Sequence, residues 1–293
     1  MATANALIDE TLDLFLQPNR GSANQLAADV DAVATTWTFV YELAGIAAGQ
    51  LIECDTELVL VMQVTGQSAT VVRAQRGSTA AAHTAQTLVS VAPKLSRYAV
   101  FRSLNEELYA LHGAGLYRML TVELTYNPAI QGYNLTGVTD VTDVYAVSYD
   151  TFGASQNWAE IPGSQWRLVR NAETDDFASG LAIILYHGGN PGRQLRVAYK
   201  APFGQFTTTA STTVSVGLEE SQVDLLPLGV LQRVGSTREW SRNFLYAQGD
   251  TRRANEVPMG SMIAAARATA QYRQERLTQE ILKLDTRYPE TKR

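Results

Sequence analysis

Residues 71–91 constrain this chain most. Two β-type runs, Val71-Val72-Arg73 and Thr87-Leu88-Val89-Ser90-Val91, flank small residues whose polar members are Arg73, Arg76, Ser78, Thr79 and His83. Glycine and small residues between strand-forming runs call for a tight turn, not a helix or an unbroken strand. A hydroxyl, an imidazole and two guanidiniums within eleven residues also raise the question of a catalytic loop. A hydroxyl nucleophile needs a base oriented by a third group, and the neighbouring sequence offers no evident orienter. The segment therefore reads as structural: Ser78 and Thr79 satisfy backbone groups of the turn, and His83 caps or spans it.

Around this loop the chain alternates between helical and β patterns, which makes the expected fold class α+β. Residues 1–20 hold an N-terminal helix with Ile8, Leu12, Phe15 and Leu16 at helical spacing, stopped by Pro18 and Gly21. Residues 21–95 form a small antiparallel β-domain of four or five strands. Its clearest members are the alternating run Thr35–Tyr41 and the denser run Glu57–Val64. A connecting helix spans 96–118, with Ser96 as its cap, one stripe of Phe101, Leu104, Leu108 and Leu111, and Gly113 at the left-handed stop.

Residues 119–203 return to strands, separated by turns at Asn127-Pro128, Gly153, Pro162-Gly163 and Gly188–Gly192, and predict a second β-sandwich or barrel. A Thr- and Ser-rich stretch, 204–217, reads as an extended connector. Residues 218–293 are a helical docking segment. Its first helix is weakened by Pro227 and Gly229, and its last, long helix opens at Pro258 and ends at Pro289.

Composition narrows the function. No apolar run approaches the ~18–20 residues of a membrane span, and no secretory leader is evident at Met1–Asn5. The sequon at Asn134-Leu135-Thr136 is then a chance match. Cys54 is the sole cysteine, so no internal disulfide can form. From Arg233 onwards, 12 basic residues face 7 acidic ones, although the whole chain carries −5. This polarity suits a C-terminal part that meets a different partner from the rest. His83, His112 and His187 lie outside any metal-ligand spacing, and phosphate loops, nucleophile elbows and dinucleotide fingerprints are missing. No catalytic residue, cofactor or metal is expected. Acidic neighbours would raise the Cys54 thiol pKa, not activate it, so Cys54 reads as a small packed side chain.

The run Arg73-x-x-x-Gly77-Ser78-Thr79-Ala80-Ala81-Ala82-His83, preceded by Glu57 ahead of an apolar strand, resembles a hairpin of tailed-bacteriophage virion proteins. Ala74 and Gln86 stand where that pattern commonly has glycine. The helical C-terminal segment, with its scattered arginines, is similar to that of head-to-tail connector (adaptor or neck) proteins. The resemblance implies a non-enzymatic virion component assembled in the host bacterial cytoplasm. It implies a homo-oligomeric ring, a dodecamer, joining portal and capsid to tail or neck proteins around a channel through which DNA passes without sequence-specific binding. The assembly interface would then lie on the long helix, at Ile263, Arg267, Arg273, Arg276, Leu277, Ile281 and Leu284. A tail, baseplate or fibre-attachment protein is the near alternative. A carbohydrate-binding β-protein using Trp158, Trp166 and Tyr149 is the distant one.

Overall fold

A computed structural model describes residues 1–16, 23–42, 45–93, 95–135, 138, 140–150, 158–186, 192–234 and 261–289. Pro18, Gly21, Thr136, Gly153, His187, the Gly188–Pro191 turn and Pro258 lie outside the described residues, as do the side chains of Phe15, Leu16 and Ile263. The fold is α+β, with helices, antiparallel sheets and a C-terminal helix. Two compact units result: Met1–Leu108 with Gln205–Arg276, and Tyr109–Gly204 with Leu277–Arg293. The described C-terminal residues are thus divided between the two units. Among the described residues no helix is long and apolar enough to cross a membrane.

In the first unit six short strands pair antiparallel: β1 (Ala23–Gln25), β2 (Thr36–Thr38), β3 (Leu51–Cys54), β4 (Glu57–Thr65), β5 (Ser68–Val72) and β6 (Leu88–Val91). Their order is β1-β6-β3-β4-β5-β2. The two outer strands meet through a Leu26–Phe39 bridge, where Ala27 N donates to Thr38 O at 2.8 Å and Val40 N to Gln25 O at 2.9 Å. The sheet therefore closes into a small barrel and leaves no free edge, where the sequence suggested only four or five strands. Trp37, Phe39, Ile52, Cys54, Val59, Val61, Val71 and Val89 fill its interior. Each large apolar side chain so buried contributes about 1.5–3 kcal/mol.

Helices complete that unit. Helix α1 (Ala4–Leu16) buries Ala4, Leu7, Ile8 and Thr11, a face rotated from the expected Ile8–Leu12–Phe15 stripe. Helix α2 (Arg97–Gly113) starts as expected, with Ala99 N donating to Ser96 Oγ at 3.0 Å. Its left-handed stop is Gly115 (φ +104°), not Gly113: Gly115 N donates to His112 O and Leu116 N to Leu111 O, a Schellman ending.

Residues 204–217 are not a loose arm. Phe206, Thr213 and Val216 are buried, and Asn105 clasps the Phe206 backbone through both amide atoms. Ala4 N also donates to Ser211 O at 2.9 Å, and Thr213 N to Ala2 O at 3.0 Å. Threonine-rich composition disguised a segment that anchors itself through Phe206 and Val216, while Val214 stays exposed. Residues 225–234 form α3 despite Pro227 and Gly229. Gly229 is required there, because a Cβ would lie 2.0 Å from the buried Glu107 carboxyl.

The second unit is a sandwich. β7 (Arg118–Thr125), β9 (Asp143–Asp150), β10 (Trp158–Ile161) and β13 (Gln194–Ala201) form one antiparallel sheet in the order β10-β9-β13-β7. β8 (Gly132–Asn134), β11 (Trp166–Arg170) and β12 (Leu181–Leu185) form the other, in the order β11-β12-β8. Val144, Val147, Leu195 and Val197 of the first sheet share one core with Tyr133, Trp166, Ile183 and Leu185 of the second. The Val138, Val141 and Val144 triplet is buried throughout and belongs to that core. The long helix α4 (Ser261–Arg287) contributes to both units.

Candidate functional site

The loop after β5 is built around one buried carboxylate. Glu57 begins β4 directly after the tight Asp55-Thr56 turn, and its side chain is 1 % exposed. Arg73 Nε and Nη2 donate to its two oxygens at 2.6 and 2.7 Å, a bidentate pair. The amides of Ala74 and Ala81 donate to the same carboxylate at 3.2 and 3.1 Å. Arg73 also donates to the carbonyls of Asp31, Ala34 and Ala81, with its guanidinium 4.9 Å from the Trp37 ring centroid. One guanidinium thereby fastens three chain segments.

His83 closes the cluster. Its backbone pairs with Val30 through two 2.8 Å hydrogen bonds. Its Nδ1 lies 2.9 Å from Asp55 Oδ2, and its Nε2 lies 2.9 Å from Glu57 Oε2. Carboxylates on both nitrogens call for an imidazolium that donates twice. Burial alone would depress the His83 pKa, but the hydrogen bonds to Asp55, Cys54 and Glu57 lift it to about 11. Burial would likewise raise Glu57, yet Arg73, His83 and the two amides hold it at about 2. The His83 hydrogen bond keeps Asp55 below the ordinary carboxylate range. Burial, helped by Asp55 and Glu57, raises the Cys54 thiol. Two carboxylates thus balance two cations in a largely buried space.

Ser78 Oγ accepts from Leu58 N at 3.0 Å and donates to Gln75 O at 2.9 Å, so it is tied to backbone and forms no dyad with His83. Thr79 is exposed. Gly77 has φ +83°, and its carbonyl accepts from Tyr98 Oη at 2.6 Å. Ala74 (φ +54°) and Gln86 (φ +67°) hold left-handed backbone although neither is glycine. Sequence reasoning singled out Arg73, Gly77, Ser78 and His83, but it missed Asp55 as an orienter of the imidazole. The signal lay upstream: three acids, Glu53, Asp55 and Glu57, fall at and around the turn between two otherwise apolar strands. Cys54 Sγ, an Asp55 oxygen and a His83 nitrogen lie within 4.8 Å of one another, a set that the spacing of the histidines alone did not disclose.

The long helix carries ion pairs within its own chain. Arg273 Nε donates to Glu107 at 2.8 Å, and Arg276 Nε to Asp224 at 2.8 Å. Arg233 also pairs with Glu107, at 3.2 Å. Leu277 and Leu284 are 2 and 6 % exposed, and Ile281 is half-buried beside Gly115. Arg273, Arg276, Leu277 and Leu284 therefore make contacts within their own chain. An apolar stripe with a basic side says that a helix docks, not on whose surface. Arg267 remains exposed, as does Tyr272 at 53 %.

The carbohydrate platform does not assemble either. Trp166 is buried with Nε1 donating to Ile161 O, Tyr149 packs against the sandwich core, and the Trp158 ring is covered by Arg196 at 3.8 Å. No protein-family model matches the chain, and no curated protein matches its sequence.

Proposed function

We propose that the chain is a structural component of a tailed-phage virion, a neck protein whose copies form a ring between portal and tail around the DNA channel. One observation carries this reading. The loop that resembles the virion hairpin is locked by Glu57, Arg73 and His83, and it keeps left-handed backbone at Ala74 and Gln86, the two positions where the resembling pattern has glycine. An imidazole engaged on both nitrogens holds a fold together and is not a free base. The exposed Arg267 and Tyr272 on α4, and the basic balance after Arg233, supply a surface for neighbouring subunits or the portal. A ring of identical copies needs two unlike faces whose rotation closes.

Native mass spectrometry and electron microscopy of the purified chain, alone and with a portal protein, test the proposal. A closed ring of twelve supports it. Three, six or many more copies would favour a tail, baseplate or fibre-attachment protein. A monomer under both conditions would overturn the assembly reading.

A further inference from the structure

We propose that Cys54, Asp55 and His83 form a binding site for a thiophilic divalent cation, with zinc the best match. The inference stands apart from the virion reading. Three chemically different ligand atoms, Sγ, a carboxylate oxygen and a ring nitrogen, lie within 4.8 Å of one another on a closed barrel. Zinc holds sulfur at about 2.3 Å and nitrogen or oxygen at about 2.0–2.2 Å, so tetrahedral ligand atoms sit about 3.3–3.7 Å apart. The 2.9 Å Nδ1–Oδ2 contact must open by a few tenths of an ångström, and the other separations, none above 4.8 Å, must settle into the same range. Asp55 can supply that movement, because its side chain is 62 % exposed at the tip of the β3–β4 turn.

The surroundings are arranged as metal-binding histidines require. His83 Nε2 donates to Glu57, and Glu57 is held by Arg73 and two backbone amides, so Nδ1 is the nitrogen presented to an ion. A carboxylate behind a ligating histidine fixes both the ring and its tautomer. Thiolate, imidazole and carboxylate together select zinc over magnesium or calcium, which prefer oxygen alone.

Binding balances in charge and in protons. Without a metal, Asp55 and Glu57 offset Arg73 and an imidazolium, and the thiol is neutral. When zinc binds, the Cys54 Sγ–H proton and the His83 Nδ1 proton leave to solvent. Thiolate and Asp55 then offset the ion, and Glu57 offsets Arg73. Two protons exchange for one dication, so the buried cluster stays neutral in both states. Cys54 and His83 are buried, and the exposed Asp55 marks the entry side, where water completes the coordination.

The full chain, stripped with chelator and desalted, would be dialysed against zinc chloride and, separately, cobalt chloride. Expected results are one zinc per chain by atomic emission, a raised melting temperature, and a thiolate-to-cobalt charge-transfer band. Asp55→Asn should weaken binding tenfold or more, with the zinc-induced rise measured against the variant's own metal-free melting temperature. Cys54→Ser should abolish the band. Less than a tenth of an equivalent of zinc, or a cobalt spectrum lacking the thiolate band in the unsubstituted chain, would overturn the site. So would full affinity in Asp55→Asn. The cobalt spectrum of the unsubstituted chain decides the matter even if Cys54→Ser does not fold.

Discussion

The barrel of residues 23–91 and the sandwich of residues 118–201 solve the same problem with different materials. The sandwich has three eight-residue strands, β7, β9 and β13, and closes its core with apolar faces. Among its described strand residues, Asp150 is the one buried ionisable side chain that is not a tyrosine. In the barrel, four of the six strands have three or four residues, and it buries Glu53, Glu57 and His83. Short strands leave long loops whose backbone groups need partners, and charged side chains supply them. A region ordered by ionic hydrogen bonds is more sensitive to single atoms and to pH than one ordered by area.

The hardest test of that contrast is Glu57→Ala against Val197→Ala. Removing Glu57 strands Arg73 and His83 without their carboxylate, and breaking such a buried network costs about 3–5 kcal/mol. Val197→Ala removes two methyl groups from the sandwich core and costs about 2 kcal/mol. Equal losses in denaturant titrations would erase the distinction.

The pH profile sharpens it further. Burial, only partly offset by the Tyr98 and Arg97 amides, raises Glu53 to about 7 from 4.5, so the folded chain holds an extra proton across that window. Stability due to Glu53 is therefore present below 4.5 and lost as pH rises to about 7. Glu57 has the opposite sign: its stabilisation is present above 4.5 and lost as pH falls towards 2. His83 stabilises fully below 6.5, and its share is lost as pH rises towards 11. Glu53→Gln keeps the acceptor for Tyr98 N and removes the charge. It should gain on the order of 2–3 kcal/mol at pH 8 and nothing at pH 4, turning a slope into a plateau between 4.5 and 6.5. Thermal melts across pH would read this, and a parallel profile would refute the Glu53 assignment.

Two smaller effects probe the loop itself. Gly77→Val places a branched side chain at φ +83° with its Cβ 3.3 Å from Tyr98 Oη, and should cost about 1–3 kcal/mol. An unchanged melting temperature would mean the turn is ordinary. Ala74→Gly should work in the other direction. It relieves a left-handed alanine at φ +54° and stabilises by roughly 0.5–1 kcal/mol after the cost in unfolded-chain entropy. A fall in stability would show that the alanine methyl packs usefully there.

Much of this was legible beforehand. Alternation marked the run that holds β2, a dense apolar run marked β4, Ser96 marked the start of α2, and glycine with small residues marked the loop after β5. Other features were not. The sequence pattern put the stop of α2 at Gly113, and the hydrogen bonds of Gly115 and Leu116 move it two residues on. Gly229 reads as a helix breaker until the Glu107 carboxyl is seen against its backbone. Asp55 reads as a turn residue until its oxygen is found on His83. The last two misses concern partners distant in the chain.

Local propensity and periodicity depend on neighbours a few positions away, so the residue order alone determined which segments became strands and helices and where most of them begin. Burial of a charge depends on what surrounds it in space. Only the tertiary structure could decide that Glu57, Arg73 and His83 are mutual partners, and that Arg273 and Arg276 answer to Glu107 and Asp224 of their own chain. The Coulomb and hydrogen-bond terms that choose those partners act through a few ångströms of folded space, across separations of up to 166 residues along the chain.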